Sequence, residues 1–193
     1  MKVVAIAVAA FAVLLLILIA LRTRYRSSML PNQSNPPPAK TYVDLRNLIF
    51  QGSRQKFSLP ATSTPTEPWG VVMDLSLNRG TATVTALSDG NGSIYLSSGG
   101  GYIGGVGKPA IHDAAQNFVR TAAKFQAGMK ATTEFPLPET GHARFYVLTD
   151  AGVFTASAVE DELNQRRDPM TKLFAAGQEV ITQYRLDGER SRQ

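Results

Sequence analysis

The order of apolar and polar positions changes along this chain, and its first pattern is a continuous apolar run. Residues Val3–Leu21 contain no charge, no proline and no glycine, and they lie between Lys2 and Arg22. A helix of this length is about 28 Å long, which is close to the thickness of the hydrocarbon core of a bilayer. The run predicts a single-pass transmembrane helix, with the lipid bilayer as its partner.

A cleaved signal peptide is the alternative interpretation of the same run. The run is longer than the apolar core of an ordinary signal peptide, and no A-x-A-like cleavage site follows it. Arg22, Arg24 and Arg26 stand where a cleavage region is usually uncharged, which favours a retained anchor. Because these arginines outnumber Lys2 and the α-amino group, the positive-inside rule slightly favours a cytoplasmic C-terminal domain over an exported one.

After the run, the pattern and the composition divide the chain into further parts. Residues 1–26 are the predicted anchor with its basic flank, and residues 27–40 are a linker in which Pro36–Pro38 favours polyproline II. Residues 41–187 carry the periodic patterns of a single α+β domain, and residues 188–193 form a polar tail.

Within residues 41–187 the apolar period alternates between 3.6 and 2. Period-3.6 stripes indicate helices at residues 41–51 and 109–129, and a third helix that starts at Asp168-Pro169. Period-2 alternation indicates strands at residues 69–77, 81–86, 93–97, 143–149 and 153–158. The predicted fold class is α+β: an N-terminal transmembrane helix, then a five-stranded antiparallel sheet packed by two or three helices, in the element order α-βββ-α-ββ-α.

The charge distribution excludes one class of partner. The chain has 20 basic and 15 acidic residues, and Lys2, Arg22, Arg24 and Arg26 account for four of the basic ones. The rest of the chain therefore has 16 basic against 15 acidic residues. Binding to nucleic acid needs a basic face, so the sequence predicts no nucleic-acid partner.

The residue types that carry most enzyme and metal chemistry are sparse. The chain has no cysteine and two histidines, His112 and His142, which do not stand at H-x-x-x-H or H-E-x-x-H spacing. A G-x-S-x-G nucleophile elbow is also missing. The sequence predicts no metal site, no cofactor and no catalytic residue, and hence a non-enzymatic protein.

A glycine-rich segment at residues 99–108 is the sharpest local motif. Gly99, Gly101 and Gly104 form a literal G-x-G-x-x-G before a helix, and Lys108 ends the segment. Together these four residues are candidates for anion binding through backbone N–H groups and one ammonium. The preceding strand belongs to an antiparallel meander, however, unlike a dinucleotide-binding βαβ unit. A strand-to-helix connection that is flexible or closely packed is the simpler interpretation.

One face of the predicted meander carries only small polar residues and a tyrosine. Its members are Thr81, Thr83, Thr85, Ser93, Tyr95 and Ser97. We expect them to point away from the helices, where they form either plain solvent surface or the contact face of a homodimer or another protein.

The expected function follows from these patterns. The sequence predicts a single-pass, membrane-anchored protein that carries a small, non-enzymatic binding or assembly domain. The alternative is a ligand-sensing or nucleotide- and anion-binding module that uses residues 99–108.

Overall fold

The computed structural model describes residues 36–105 and 107–191. The predicted anchor at Val3–Leu21 and most of the linker lie outside these residues. Within them the chain forms four α-helices and seven β-strands. The helices are α1 (Lys40–Phe50), α2 (Pro109–Ala123), α3 (Glu160–Asn164) and α4 (Thr171–Arg190). The strands are β1 (Pro68–Leu77), β2 (Gly80–Leu87), β3 (Gly92–Leu96), β4 (Gly101–Ile103), β5 (Lys130–Thr132), β6 (His142–Thr149) and β7 (Gly152–Val159).

The seven strands form one antiparallel sheet in the order β4-β3-β2-β1-β6-β7-β5. β1 lies in the middle and pairs along most of its length with β2 on one side and β6 on the other. This central strand is buried from Pro68 to Leu75. The sheet places the glycine-rich segment at one edge, because β4 is part of that segment.

The predicted five-stranded sheet is corrected to seven strands. The two additional strands, β4 and β5, have three residues each and form the two edges of the sheet. Three residues are too few to establish a period-2 pattern, and β4 begins at a glycine. Edge strands are often this short, because a short edge offers little template for unwanted pairing.

The prediction of a transmembrane protein is also corrected. Among residues 36–105 and 107–191, no helix is both long enough and apolar enough to cross a bilayer. The longest, α4, has 20 residues, but it carries charged side chains such as Lys172, Glu179 and Asp187. The transmembrane helix in the fold class, the single-pass membrane protein and the membrane location are therefore not supported by the structure.

One face of the sheet is apolar and is covered by α2 and α4. Val71, Met73, Phe145 and Val147 project from the central strands and are fully buried together with Phe118 of α2. Each such side chain contributes roughly 1.5–3 kcal/mol through burial. This cluster is the larger of the two cores.

The other face is covered as well, which the sequence did not predict. α1 packs there with Tyr42 and Ile49, and Leu59 and Phe135 join from the connections before β1 and before β6. The predicted arrangement, in which the threonine- and serine-rich face points away from all helices, is wrong. The fold has three layers, with helices on both faces of the sheet.

Gly177 is the point where α4 comes closest to the sheet. A Cβ atom built at this position would lie 2.5 Å from Met73 Cε and 3.0 Å from Phe118 Cζ. Met73 and Phe118 are both fully buried, so making room for a Cβ would require repacking inside the core. Because Gly177 has no side chain, α4 can lie this close to β1.

We predict that Gly177→Ala destabilises the full-length protein by about 1–3 kcal/mol through overpacking, although alanine favours helix. Gly188→Ala in the same helix is the matched control, because a Cβ there meets nothing within 4 Å. The control is expected to change the free energy of unfolding by less than about 1 kcal/mol, in the stabilising direction. Urea denaturation followed by circular dichroism measures both; equal stability of the two variants would contradict the close approach.

Candidate functional site

An apolar groove lies between the β3–β4 hairpin and the C-terminal half of α4. Its volume is about 310 Å³. Its lining side chains are mainly aliphatic and aromatic, with one charged pair at the rim: Ile94, Leu96, Tyr102, Ile181, Tyr184, Arg185 and Glu189. Arg185 Nη1 donates to Glu189 Oε1 at 2.8 Å, so these opposite charges are already paired with each other.

Two tyrosines form the rigid wall of this groove. The rings of Tyr102 and Tyr184 stack with centroids 5.2 Å apart. The Tyr184 hydroxyl donates to the carbonyl oxygen of Gly92 at 2.7 Å, which fixes the ring against β3. Burial raises the pKa of Tyr184 to about 12, so the hydroxyl stays protonated and keeps this bond at neutral pH.

β4 borders the groove and is an open edge strand. It pairs with β3 in the register Ser93↔Ile103 and Tyr95↔Gly101, and it is the last strand on its side of the sheet. The side chains of Tyr102 and Ile103 are 50% and 68% exposed. A strand with one neighbour presents main-chain donors and acceptors to solvent along its free side. β4 is therefore a template on which another strand can pair.

The glycines of the predicted anion site serve this hairpin. Gly99 has a φ of 95° in the turn, and its N–H donates to Leu96 O at 2.8 Å. A Cβ on Gly101 would lie 2.0 Å from Ile94 O, so only glycine fits there. The Gly104 N–H donates to Ser93 Oγ at 3.3 Å. The positive φ at all three positions, including 74° at Gly104, together with the close approach at Gly101 explains the three glycines without a ligand.

Lys108, the fourth predicted anion-binding residue, is paired within the protein. Its ammonium forms an ion pair with Asp187 of α4. A bound anion would compete with that carboxylate. The anion- and nucleotide-binding function of residues 99–108 stays a prediction, and the described contacts do not gather free donors around one point.

The six residues of the predicted partner face are buried in the structure. Each is at most 7% exposed: Thr81, Thr83, Thr85, Ser93, Tyr95 and Ser97. α1 contacts this face directly, because Tyr42 Oη lies 2.9 Å from Thr83 Oγ1. While α1 is docked, another protein cannot reach these side chains.

A buried ion pair anchors α1 to this face. Asp74 of β1 is fully buried and accepts hydrogen bonds from Arg46 Nη2 at 2.7 Å and Arg46 Nε at 3.2 Å. Its other oxygen accepts from Thr83 Oγ1 at 2.5 Å. The remaining terminal nitrogen of Arg46 donates to Phe135 O at 2.8 Å. One guanidinium thus joins α1, β1 and the connection before β6.

Aromatic rings surround the guanidinium of Arg46. Its Cζ lies 4.8 Å from the ring centroid of Phe50 and 5.8 Å from that of Tyr146. Phe50 and Phe135 stack at 4.2 Å, and the Tyr146 hydroxyl donates to Pro136 O at 2.5 Å. Cation–π attraction of this kind adds stability when the cation is desolvated.

The charges of this cluster follow from burial. Burial raises the pKa of Asp74, opposed by the attraction of Arg46 and by hydrogen bonds from Arg46 and Thr83. Burial alone would lower the pKa of Arg46, but the attraction of Asp74 and the bond between them leave it raised. Burial, with the nearby Asp74 charge, raises the pKa of Tyr42 and of Tyr146 to about 12.

Arg46 and Asp74 were not predicted as important residues from the sequence. The available signal was their position: Arg46 is four residues after Tyr42 and three before Ile49, which places it on the buried face of α1. Asp74 interrupts an apolar strand. A cation on a buried helix face together with an acid in a central strand indicates a buried pair.

Other features of the described residues offer less to a ligand. A wider groove of about 570 Å³ between α2 and α4 is lined by Lys124, Lys172 and Glu179, whose exposed side chains fix no geometry. No group of three or more histidine, aspartate and glutamate residues in the described part of the chain could hold a metal ion. The β4 edge and its groove are the candidate site.

Comparison with protein-family models, curated proteins and solved structures finds no match to this chain.

We predict that Arg46→Met destabilises the protein by about 3–5 kcal/mol at neutral pH, since it leaves a buried carboxylate without its partner. Without Arg46, the pKa of Asp74 in the folded state rises further above its unfolded value of about 3.9. An acid with a raised folded-state pKa lowers stability as the pH rises above the unfolded pKa. The loss should therefore be small near pH 4 and grow toward pH 8.

Urea denaturation of the full-length protein at several pH values measures this effect. The matched control is Lys40→Met, which breaks the exposed ion pair with Asp44 in the same helix and should cost less than about 1 kcal/mol at any pH. The double variant Arg46→Met, Asp74→Leu should recover most of the stability and lose the pH dependence. A pH-independent loss in Arg46→Met would contradict an unpaired Asp74 carboxylate as its cause.

Proposed function

We propose that this chain is a non-enzymatic protein-binding module that captures an extended peptide segment by strand addition to β4. The observation that carries the proposal is an uncharged, exposed edge strand directly beside an apolar groove. In strand addition, main-chain hydrogen bonds to the edge supply affinity, and alternate side chains entering pockets supply specificity. β4 offers the main-chain hydrogen-bonding groups, and the groove between the β3–β4 hairpin and α4 offers the pocket for side chains.

The two edges of the sheet differ in their suitability for pairing. β5 carries Lys130, and a lysine on an edge strand opposes pairing with another strand. β4 consists of Gly101, Tyr102 and Ile103 and carries no charge. Strand addition is therefore favoured at β4.

The occupant that fits this edge is a peptide rather than a second copy of the chain. Two β4 strands paired edge to edge would form a ladder only about 10 Å long. A stable interface buries about 800 Å² on each partner, which such a ladder does not approach by itself. An extended peptide can pair with β4 and also insert an apolar side chain into the groove between the β3–β4 hairpin and α4.

The chemistry of the groove defines the peptide. Side chains of an added strand alternate between the two faces of the sheet, so every second residue would face the groove. Aliphatic or aromatic residues at those positions fit the apolar lining. The paired charges of Arg185 and Glu189 give no net preference for an acidic or a basic peptide.

The test is a selection from a phage-displayed library of random peptides of about ten residues on the full-length protein. We expect enrichment of sequences with alternating apolar residues, and binding of the enriched peptides in fluorescence anisotropy. Ile103→Lys, which places a charge on the free edge, should weaken this binding by at least about tenfold. The fold should be unaffected, because the Ile103 side chain is largely exposed.

Val159→Lys is the matched control, since Val159 is also an exposed apolar residue but ends β7, on the opposite half of the sheet. It should bind the enriched peptides as the unaltered protein does. Selection without enrichment, or equal losses in the two variants, would refute strand addition at β4.

A further inference from the structure

The residue directly before α1 contacts the turn that leads into β4. The Ala39 N–H, directly before α1, donates to Ser97 O at 2.8 Å. A Cβ built on Gly99 would lie 3.6 Å from the Ala39 Cβ. Ser97 and Gly99 belong to the turn between β3 and β4, so the start of α1 rests against the hairpin that carries the peptide-binding edge.

A row of side-by-side residues links α1 to β4 across the sheet. Asp74 of β1 pairs with Thr83 of β2, Thr83 with Tyr95 of β3, and Tyr95 with Gly101 of β4. Tyr42 of α1 bonds to Thr83 and packs in the same cluster as Tyr95. Within this row, α1 packs in one cluster with Tyr95, which lies opposite Gly101, the first residue of β4.

The contact between α1 and the sheet differs in kind from the contacts of α2 and α4. α2 and α4 meet the sheet mainly through apolar side chains, although Tyr184 of α4 also donates to Gly92 O. Under α1 the sheet presents the buried polar groups of Asp74 and Thr83, and α1 meets them with Tyr42 and Arg46. α1 is therefore attached both by directed polar bonds, which depend on its exact position, and by the apolar contacts of Tyr42 and Ile49.

We propose that α1 is a clamp that holds the β3–β4 hairpin in the geometry that binds peptide. This inference rests on the proposed peptide-binding function and names the element that positions its site. With α1 in place, the hairpin is fixed at Ser97 and through Tyr95, and β4 is ordered for pairing. Loss of either contact loosens the hairpin and lowers peptide affinity at a distance from the groove.

Two mild variants test the clamp in the full-length protein. Ala39→Pro removes the N–H that bonds to Ser97 O, and the φ of −58° at Ala39 already suits proline. Tyr42→Phe removes the hydroxyl near Thr83 and keeps the ring. Lys40→Ala, which alters an exposed pair between these two positions, is the matched control.

The first readout is hydrogen exchange at the amides of Leu96 and Gly99, which close the β3–β4 turn through Gly100 O and Leu96 O. Each clamp variant should speed exchange there by about threefold to tenfold, the range expected for loss of one hydrogen bond. The amide of His112, bonded to Lys108 O in α2, should not change. Lys40→Ala should leave all three amides unaltered.

The second readout is the affinity of the peptides selected on the unaltered protein. Both clamp variants should bind them more weakly by a similar factor. Unchanged exchange at Leu96 and Gly99, or unchanged peptide affinity, would overturn the clamp while leaving strand addition intact. If the unaltered protein selects no peptide, the proposed function fails, and the clamp as the element that positions the peptide-binding site fails with it; faster exchange would then report a structural brace only.

Discussion

One buried carboxylate in the central strand constrains what can pack on the second face of the sheet. Asp74 is fully buried in β1, and an ionised group in such a place needs a partner and several hydrogen bonds. Arg46 and Thr83 supply them. Because Arg46 belongs to α1, this pairing, together with the apolar contacts of Tyr42 and Ile49, holds a helix on the second face of the sheet.

Different factors limit packing on the two faces of the sheet. Beneath α2 and α4, packing is apolar and the limiting factor is space, as the close approach at Gly177 shows. Beneath α1, the limiting factor is the satisfaction of polar groups, since Tyr42, Thr83 and Asp74 form one connected network. A connected polar network is stable when every member is paired and costly when one is removed. The two faces therefore respond differently to mutation.

Periodicity was enough to place the long elements and not enough to assemble them. α1 and the longer strands lie close to the ranges that their patterns predict, whereas α2 ends at Ala123 and not at residue 129, because a short 3-10 turn at Gln126–Gly128 follows it. The threonine- and serine-rich face was misassigned because alternation shows which side chains share a face, not what covers it. An arginine on an otherwise apolar helix face was the missing evidence: Arg46 needs a buried acid, and Asp74 is available in β1.

The candidate site could not be predicted for a related reason. β4 is too short for a period, and its glycines invite comparison with phosphate-binding loops. In the structure Gly99 allows the turn and Gly101 allows β4 to approach Ile94. The requirement that selects glycine is steric in both interpretations, so the motif alone does not separate them. The two interpretations differ in the acceptors of the backbone N–H groups. The N–H groups of Gly99 and Gly104 donate to acceptors within the hairpin. The free groups lie instead along the outer side of β4, where a strand, rather than an anion, is the complementary partner.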